Sequence, residues 1–180
     1  MKFSVTYTQE DLLNNYLFVA SKSDRMKRNR RKSWLLLVLF FVVAAITSYV
    51  GEDMYMMWGS IIAGLVLLLL YPSFQKLTYR RHYNKFANDR YNSLKDILYD
   101  FTITDDQIIS ESKIGNVIIN TSQVESITET GNYFFIALSS KDVITLPKHS
   151  VDVHALSAQL TEMAQKHGLA ICQELNWRWK

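Results

Sequence analysis

Two stretches, Trp34–Val50 (WLLLVLFFVVAAITSYV) and Met54–Tyr71 (MYMMWGSIIAGLVLLLLY), decide what kind of protein this is. No charged residue stands between Ser33 and Gly51 or between Met54 and Gln75, and only Glu52 and Asp53 separate the two runs. At ~1.5 Å per helical residue each run spans roughly 25 Å, close to the hydrocarbon thickness of a bilayer. Neither carries a polar face at helical period. A helix apolar all round belongs in lipid or in the core of a large protein, and 180 residues are too few to wrap two of them. A secretory signal would lie nearer the N-terminus and stand alone, and a buried strand runs about 4–8 residues. A shallow re-entrant hairpin is the alternative for the shorter first run. The runs therefore predict a transmembrane hairpin over 34–75, with helices at 34–50 and 54–74.

The chain averages conceal this. A net charge of +3 and a mean hydropathy of −0.04 would suit a soluble globule. One Cys, two Pro and six Gly exclude a disulfide scaffold and a collagen-like chain, and 48% hydrophobic residues exclude a disordered one. By segment, residues 1–33 carry +5, residues 34–75 −2, residues 76–97 +4 and residues 98–180 −4. Basic residues thus collar the hairpin on both sides, and its connecting turn has none. Lys and Arg are retained on the cytoplasmic side, which predicts a multi-pass protein of the inner (plasma) membrane with both termini cytoplasmic. Trp34 and Tyr71 would mark the inner boundary, and Tyr49, Tyr55 and Trp58 the outer one.

Arg28, Arg30, Arg31, Lys32, Arg80 and Arg81 are the residues expected to set topology and touch lipid headgroups. The run RMKRNRRKSW lacks the aromatic or base-reading polar groups of a nucleic-acid surface, so no nucleic-acid partner is expected. Gly59 with Ala63, and Ser60 with Gly64, are small residues four apart, as are Ala44 and Ser48 in the first run. Such pairs let helix backbones approach closely, either within the hairpin or in a homo-oligomer.

The rest of the chain alternates or repeats at recognisable periods. Residues 1–33 read as a short strand, Lys2–Tyr7, with Phe3, Val5 and Tyr7 on one face, then a helix. Thr8 and Asp11 form its capping box, and the helix is open to running on through the basic cluster into the membrane. Residues 76–97 read as a helical stalk with Tyr79, Tyr83, Phe86, Leu94 and Ile97 on one stripe, pairing with the N-terminal helix, and Pro72 is a kink site. From Leu98 the period falls from 3.6 to 2. Strands are expected at 99–103, 107–113, 117–120, 123–129, 133–138 and 143–146, each bounded by a turn signal. A closing helix follows, capped by Ser150, with Asp152 at its positive end, Leu156, Leu160, Met163 and Ala164 facing the sheet, and Gly168 as its C′ residue. The fold class is α+β: a membrane hairpin with a stalk, plus a small antiparallel sheet or barrel over 98–168 closed by a helix, and a tail over 169–180.

Seven strands and a closing helix resemble a pleckstrin-homology-like barrel. The segments FTITDDQIISES, from Phe101, and SQVESITETGNYFFIALSSKDVITLPKHSV, from Ser122, resemble the YcxB-like family of bacterial membrane proteins, as does the opening FSVTYTQEDLLNNY. Thr121–Ser122 stands where that family usually has Trp–Ser. The resemblance implies a two-span hairpin joined to a cytoplasmic C-terminal domain, and it carries over no functional residues, because the family's role is largely undefined.

No motif of assembled chemistry is present, so no enzyme, catalytic residue, metal or cofactor is expected. His149 and His154 are five apart and do not share a helical face, and His82, His167 and the lone Cys172 stand by themselves. No G-x-S-x-G or phosphate-cradling Gly loop occurs. The first hairpin of the C-terminal domain holds Asp100, Asp105, Asp106 and Glu111 against Lys113, which argues against a phosphoinositide ligand. Trp177 and Trp179 in the final Trp-Arg-Trp-Lys are candidate interaction residues, with packing onto the domain, an added edge strand or an interfacial anchor as the alternatives. The functional expectation is a membrane-anchored, non-enzymatic module that presents its C-terminal domain to a cytoplasmic protein. The alternative is a membrane sensor or immunity-like protective factor whose hairpin acts on another membrane protein.

Overall fold

The structure, a computed structural model, describes residues 1–179. Along the chain lie β1 (Lys2–Thr6), α1 (Gln9–Lys22), α2 (Asp24–Val50), α3 (Met54–Leu94), β2 (Leu98–Ile103), β3 (Gln107–Ser112) and β4 (Gly115–Asn120). They are followed by β5 (Val124–Thr130), β6 (Tyr133–Leu138), β7 (Val143–Pro147), α4 (Val153–His167) and β8 (Ala170–Glu174). Two compact units result: Met1–Val19 with Asn84–Trp179, and Ala20–Tyr83.

The first unit holds two four-stranded sheets, ordered β1-β2-β3-β4 and β7-β6-β5-β8. The N-terminal strand joins the C-terminal sheet. β1 lies antiparallel to β2, with Phe3 opposite Phe101 and their rings stacked at 5.7 Å. The N-terminal ammonium donates to the Ile103 carbonyl at 2.7 Å. Alternation gives a strand one inward face, and the inward faces of the central strands share a core. Val5, Phe101, Ile103 and Ile108 of the first sheet meet Ile127, Phe134, Ile136 and Leu146 of the second, with Leu156, Leu160, Met163 and Ala164 of α4 against them.

The strand reading is extended by one element. Ala170–Glu174, expected as tail, is β8, paired parallel to β5, so the second sheet is mixed rather than purely antiparallel. Its residues are largely exposed and show no alternation, which is why period 2 does not reveal it. The start of α4 also differs from expectation. Ser150 lies in a 3-10 turn, and Asp152 is the cap, its carboxylate accepting from the His154 and Ala155 amides at 3.0 and 3.1 Å. Gly168 ends the helix at φ 65°, the left-handed conformation that a residue without Cβ adopts freely.

Helix α1 does not run into the basic cluster. Ser23 breaks it and caps α2, accepting from the Met26 amide. Helix α3 is unbroken through Pro72, although that residue has no N–H to donate to the Leu68 carbonyl. In its last turns Ala87 is fully buried and Tyr91 and Leu94 half-buried, while Phe86 is 51% exposed. Of the expected stripe, Tyr79, Tyr83, Leu94 and Ile97 are half-buried, and Phe86 alone lies off it, with Ala87 in its place. Gln9 of α1 donates to Asn84 of α3 at 3.3 Å.

In the second unit, α2 and α3 are each long and apolar enough to cross a membrane. Their less exposed positions recur at alternating steps of about three and four, through Val38, Phe41, Ala45 and Ser48 on α2, and Met57, Ser60, Gly64, Leu68 and Tyr71 on α3. That spacing is the seam of two helices packed at a shallow angle. Gly64 is the tightest point: a Cβ there would lie 2.9 Å from Phe41 Cγ. Gly59 has nothing within 4 Å of the equivalent position, and Ala63 is exposed. Of the two pairs on α3, only Ser60–Gly64 lies on the seam. Arg30 Nε donates to Gln75 Oε1 at 3.5 Å, while Arg28, Arg31, Lys32, Arg80 and Arg81 are exposed.

Candidate functional site

The cleft of the first unit is assembled from α1 outward. Thr8 and Asp11 form the expected box: the Thr8 amide and hydroxyl donate to Asp11 Oδ2 at 2.8 and 2.7 Å, and the Asp11 amide donates to Thr8 Oγ1 at 3.2 Å. These bonds hold the Asp11 carboxylate in place at 2% exposure. His149 Nε2 is 3.9 Å from Oδ2, and the carboxylate also acts electrostatically on the Tyr133 hydroxyl. Asn14 Nδ2 donates to the same Tyr133 oxygen at 3.0 Å.

One helical turn on from Asp11, Asn15 is among the residues around a cleft of about 370 Å³, at the small end of the range for ligand pockets. Its walls come from α1 (Leu12, Tyr16), the end of α3 (Arg90, Leu94), the first sheet (Tyr99, Phe101, Ile108, Ile119) and β7 (Val143, Ile144, Thr145). The lining is mainly apolar, with few polar groups. The Tyr7 hydroxyl donates to the Thr145 carbonyl at 2.8 Å. Among the described residues, neither the Thr145 hydroxyl, on a residue 3% exposed, nor Asn15 Oδ1 has a hydrogen-bond partner. A buried polar atom left so costs about 1–3 kcal/mol, and both of these atoms belong to residues that line the same cleft.

Burial pushes the Tyr7 and Tyr133 phenols above their usual value of 10.0, and Asp11 adds to both shifts. The unfolded chain would ionise these groups near pH 10 while the folded domain holds their protons. Their contribution to stability is therefore complete below about pH 10 and falls as pH rises beyond it. In an alkaline titration followed by phenolate absorbance, Tyr7→Phe/Tyr133→Phe is expected to release as many phenolates as the parent up to the unfolding transition. Two fewer would show that both groups titrate freely in the native state.

A second cluster covers the far side of β6. Phe18 stacks on Phe135 at 3.8 Å between centroids, and Trp177 meets both ring edges, at 5.5 and 6.2 Å. Trp179 is buried. Of the two tail tryptophans expected as interaction residues, Trp177 thus packs onto the domain. Lys166 pairs with Asp106 at 3.2 Å and Asp105 at 3.6 Å, which raises its pKa, and His167 Nε2 is 2.9 Å from the Asp105 carbonyl. The acidic β2–β3 turn is therefore tied to the end of α4. Among the described residues no three His, Cys, Asp or Glu side chains gather as a metal site.

The sequence reading missed Asn15, Thr145 and the cleft. Helical and strand periods place both residues next to core positions, but no local signal says that they border one cleft. Residues 103–160 match the family model described as YcxB-like protein. The family resemblance is borne out over that segment, which runs from the end of β2 into α4. No curated protein and no solved structure matches the chain.

Proposed function

We propose that this is a non-enzymatic protein of the bacterial inner membrane, anchored by α2 and α3 with both termini cytoplasmic, whose β domain docks a cytoplasmic protein through β4. The anchor reading rests on two uncharged spans between basic collars. The order β1 to β4 in one sheet, β5 to β7 in the other and then a helix supports a pleckstrin-homology-like architecture, with β8 as an addition. The Asp105–Asp106 turn, engaged by Lys166 and His167, supports a domain that does not take phosphoinositides.

The observation that carries the partner reading is β4 itself. It is the edge of its sheet, and no charged residue occurs from Ile114 to Val124. Val117 is 53% and Ile118 62% exposed. Sheet edges are ordinarily blunted by charge or proline, and an open apolar edge accepts an extended segment as a further strand.

A photo-crosslinker at Ile118 of the full chain, in cells, is expected to capture a protein, and Val117→Lys is expected to abolish the adduct. No adduct from Ile118, or one indifferent to Val117→Lys, would overturn docking at β4. Labelling of Glu52→Cys only from the cytoplasmic side would overturn the topology. The outward face of α3 at Gly59 and Ala63 is what a hairpin-directed protective factor would use. Replacing the hairpin with an unrelated one separates the readings: activity lost with β4 crosslinking intact favours the hairpin.

A further inference from the structure

We propose that the cleft bounded by α1, the end of α3, β7 and the first sheet binds a small organic acid, an apolar body with one carboxylate, and that Arg90 holds the carboxylate. The lining is graded in polarity. Phe101 and Ile108, at 4% and 0% exposure, form its buried part, and Leu94, Ile119 and Ile144 are half-buried. Arg90 is exposed and stands four residues before Leu94, on the same face of α3. An arginine so placed lays its methylene stem along apolar surface and keeps its guanidinium at the wet rim. A volume of about 370 Å³ suits one compact chain or ring and is too small for a two-chain lipid.

The sign of the charge follows from what is already paired. Arg90 makes no ion pair among the described residues. Asp11, the other charged residue at the cleft, leaves it unneutralised: that side chain is 2% exposed and accepts from the Thr8 amide and hydroxyl. A cationic ligand would face the guanidinium, with only a buried carboxylate to pair with. The Asp11 charge also opposes a second negative charge in the cleft, which favours a monoanion with its head at the Arg90 end. Carboxylate and guanidinium match as a planar pair joined by two hydrogen bonds. At a rim partly removed from water that pair is stronger than in bulk solvent.

The probe is para-butylbenzoate, with para-butylbenzamide as its uncharged analogue of the same shape. Both are titrated at neutral pH against the full chain in phosphatidylcholine nanodiscs, with the isoleucine methyl groups observed by NMR. Para-butylbenzoate is expected to shift the Ile108, Ile119 and Ile144 methyl signals saturably. The benzamide should bind the parent roughly tenfold more weakly, the factor that 1.4 kcal/mol represents. Arg90→Gln, at an exposed position, is expected to keep the amide spectrum, weaken the benzoate by a similar factor and leave the benzamide unchanged. Arg90→Lys keeps the charge without the planar fork and should recover part of the loss. Absence of saturable shifts would overturn the assignment. So would equal affinity for acid and amide, or a loss on Arg90→Gln that the benzamide shares.

Discussion

Phe135→Ala is expected to destabilise the β domain by about 3–5 kcal/mol, the usual cost of deleting a buried phenyl ring. Phe135 has 0% exposure, stacks on Phe18 with 5° between ring planes, and meets the Tyr133 and Trp177 rings at 5.5 and 6.2 Å. The residue thus joins three parts of the chain that are distant in sequence: α1, β6 and the C-terminal tail. Alanine would leave a cavity inside the cluster that Phe135 forms with Phe18 and Tyr133, against which Val143 and Trp177 pack. Against a total stability of about 5–15 kcal/mol the loss is large. Hydrogen exchange of the β5 and β6 amides in the full chain would read it, with rates rising by roughly two to four orders of magnitude. Ile118→Ala, at an exposed position, should leave those rates within about twofold, corresponding to less than ~0.5 kcal/mol. Equal effects of the two substitutions would contradict the packing described.

The second large effect concerns two glycines five residues apart. Gly64→Ala is expected to destabilise the α2–α3 pair by about 1–3 kcal/mol through overpacking. Its Cβ would come to 2.9, 3.0 and 3.2 Å from Phe41 Cγ, Cβ and Cδ1. A Cβ contact cannot be relieved by swinging a flexible side-chain end, so the helices must separate. Gly59→Ala adds the same methyl where nothing lies within 4 Å. Both substitutions gain the same helix propensity, at most about 1 kcal/mol, so their difference isolates packing. Between helices in lipid, close packing replaces the hydrophobic drive, which makes that difference the dominant quantity. Pulsed electron resonance between spin labels at Leu39 and Leu69, both exposed, is the measurement. Gly64→Ala should lengthen and broaden the distance distribution, and Gly59→Ala should leave it as in the parent. A parent-like distribution for Gly64→Ala would place the seam elsewhere.

Features that depend on neighbours along the chain were legible in the sequence. The uncharged runs define α2 and α3, because a helix apolar on every side has a single kind of suitable solvent. The Thr8–Asp11 box and the Gly168 terminator form at the spacings that local backbone geometry requires. Six strands of the C-terminal region lie within about two residues of their alternating patterns. The same logic misplaced the α4 cap, since Ser150 and Asp152 are both competent capping residues and only the 3-10 turn over Lys148–Ser150 selects the second.

Legible without the fold were therefore local features: the period of each element, the punctuation between elements and the uneven charge along the chain. Tertiary structure alone decided the rest. Nothing near Lys2–Thr6 indicates that its partner strand begins at Leu98, after the whole hairpin has intervened. Nothing in Ala170–Glu174 marks it as a parallel strand beside β5. Ser60–Gly64 and Gly59–Ala63 have the same small-residue spacing, and only the position of Phe41 separates them. Asn15 and Thr145, 130 positions apart, line one cleft only because α1 and β7 both flank it. Period and propensity act over a few residues, whereas a site is made by faces brought together across the chain, and local sequence does not encode which faces will meet.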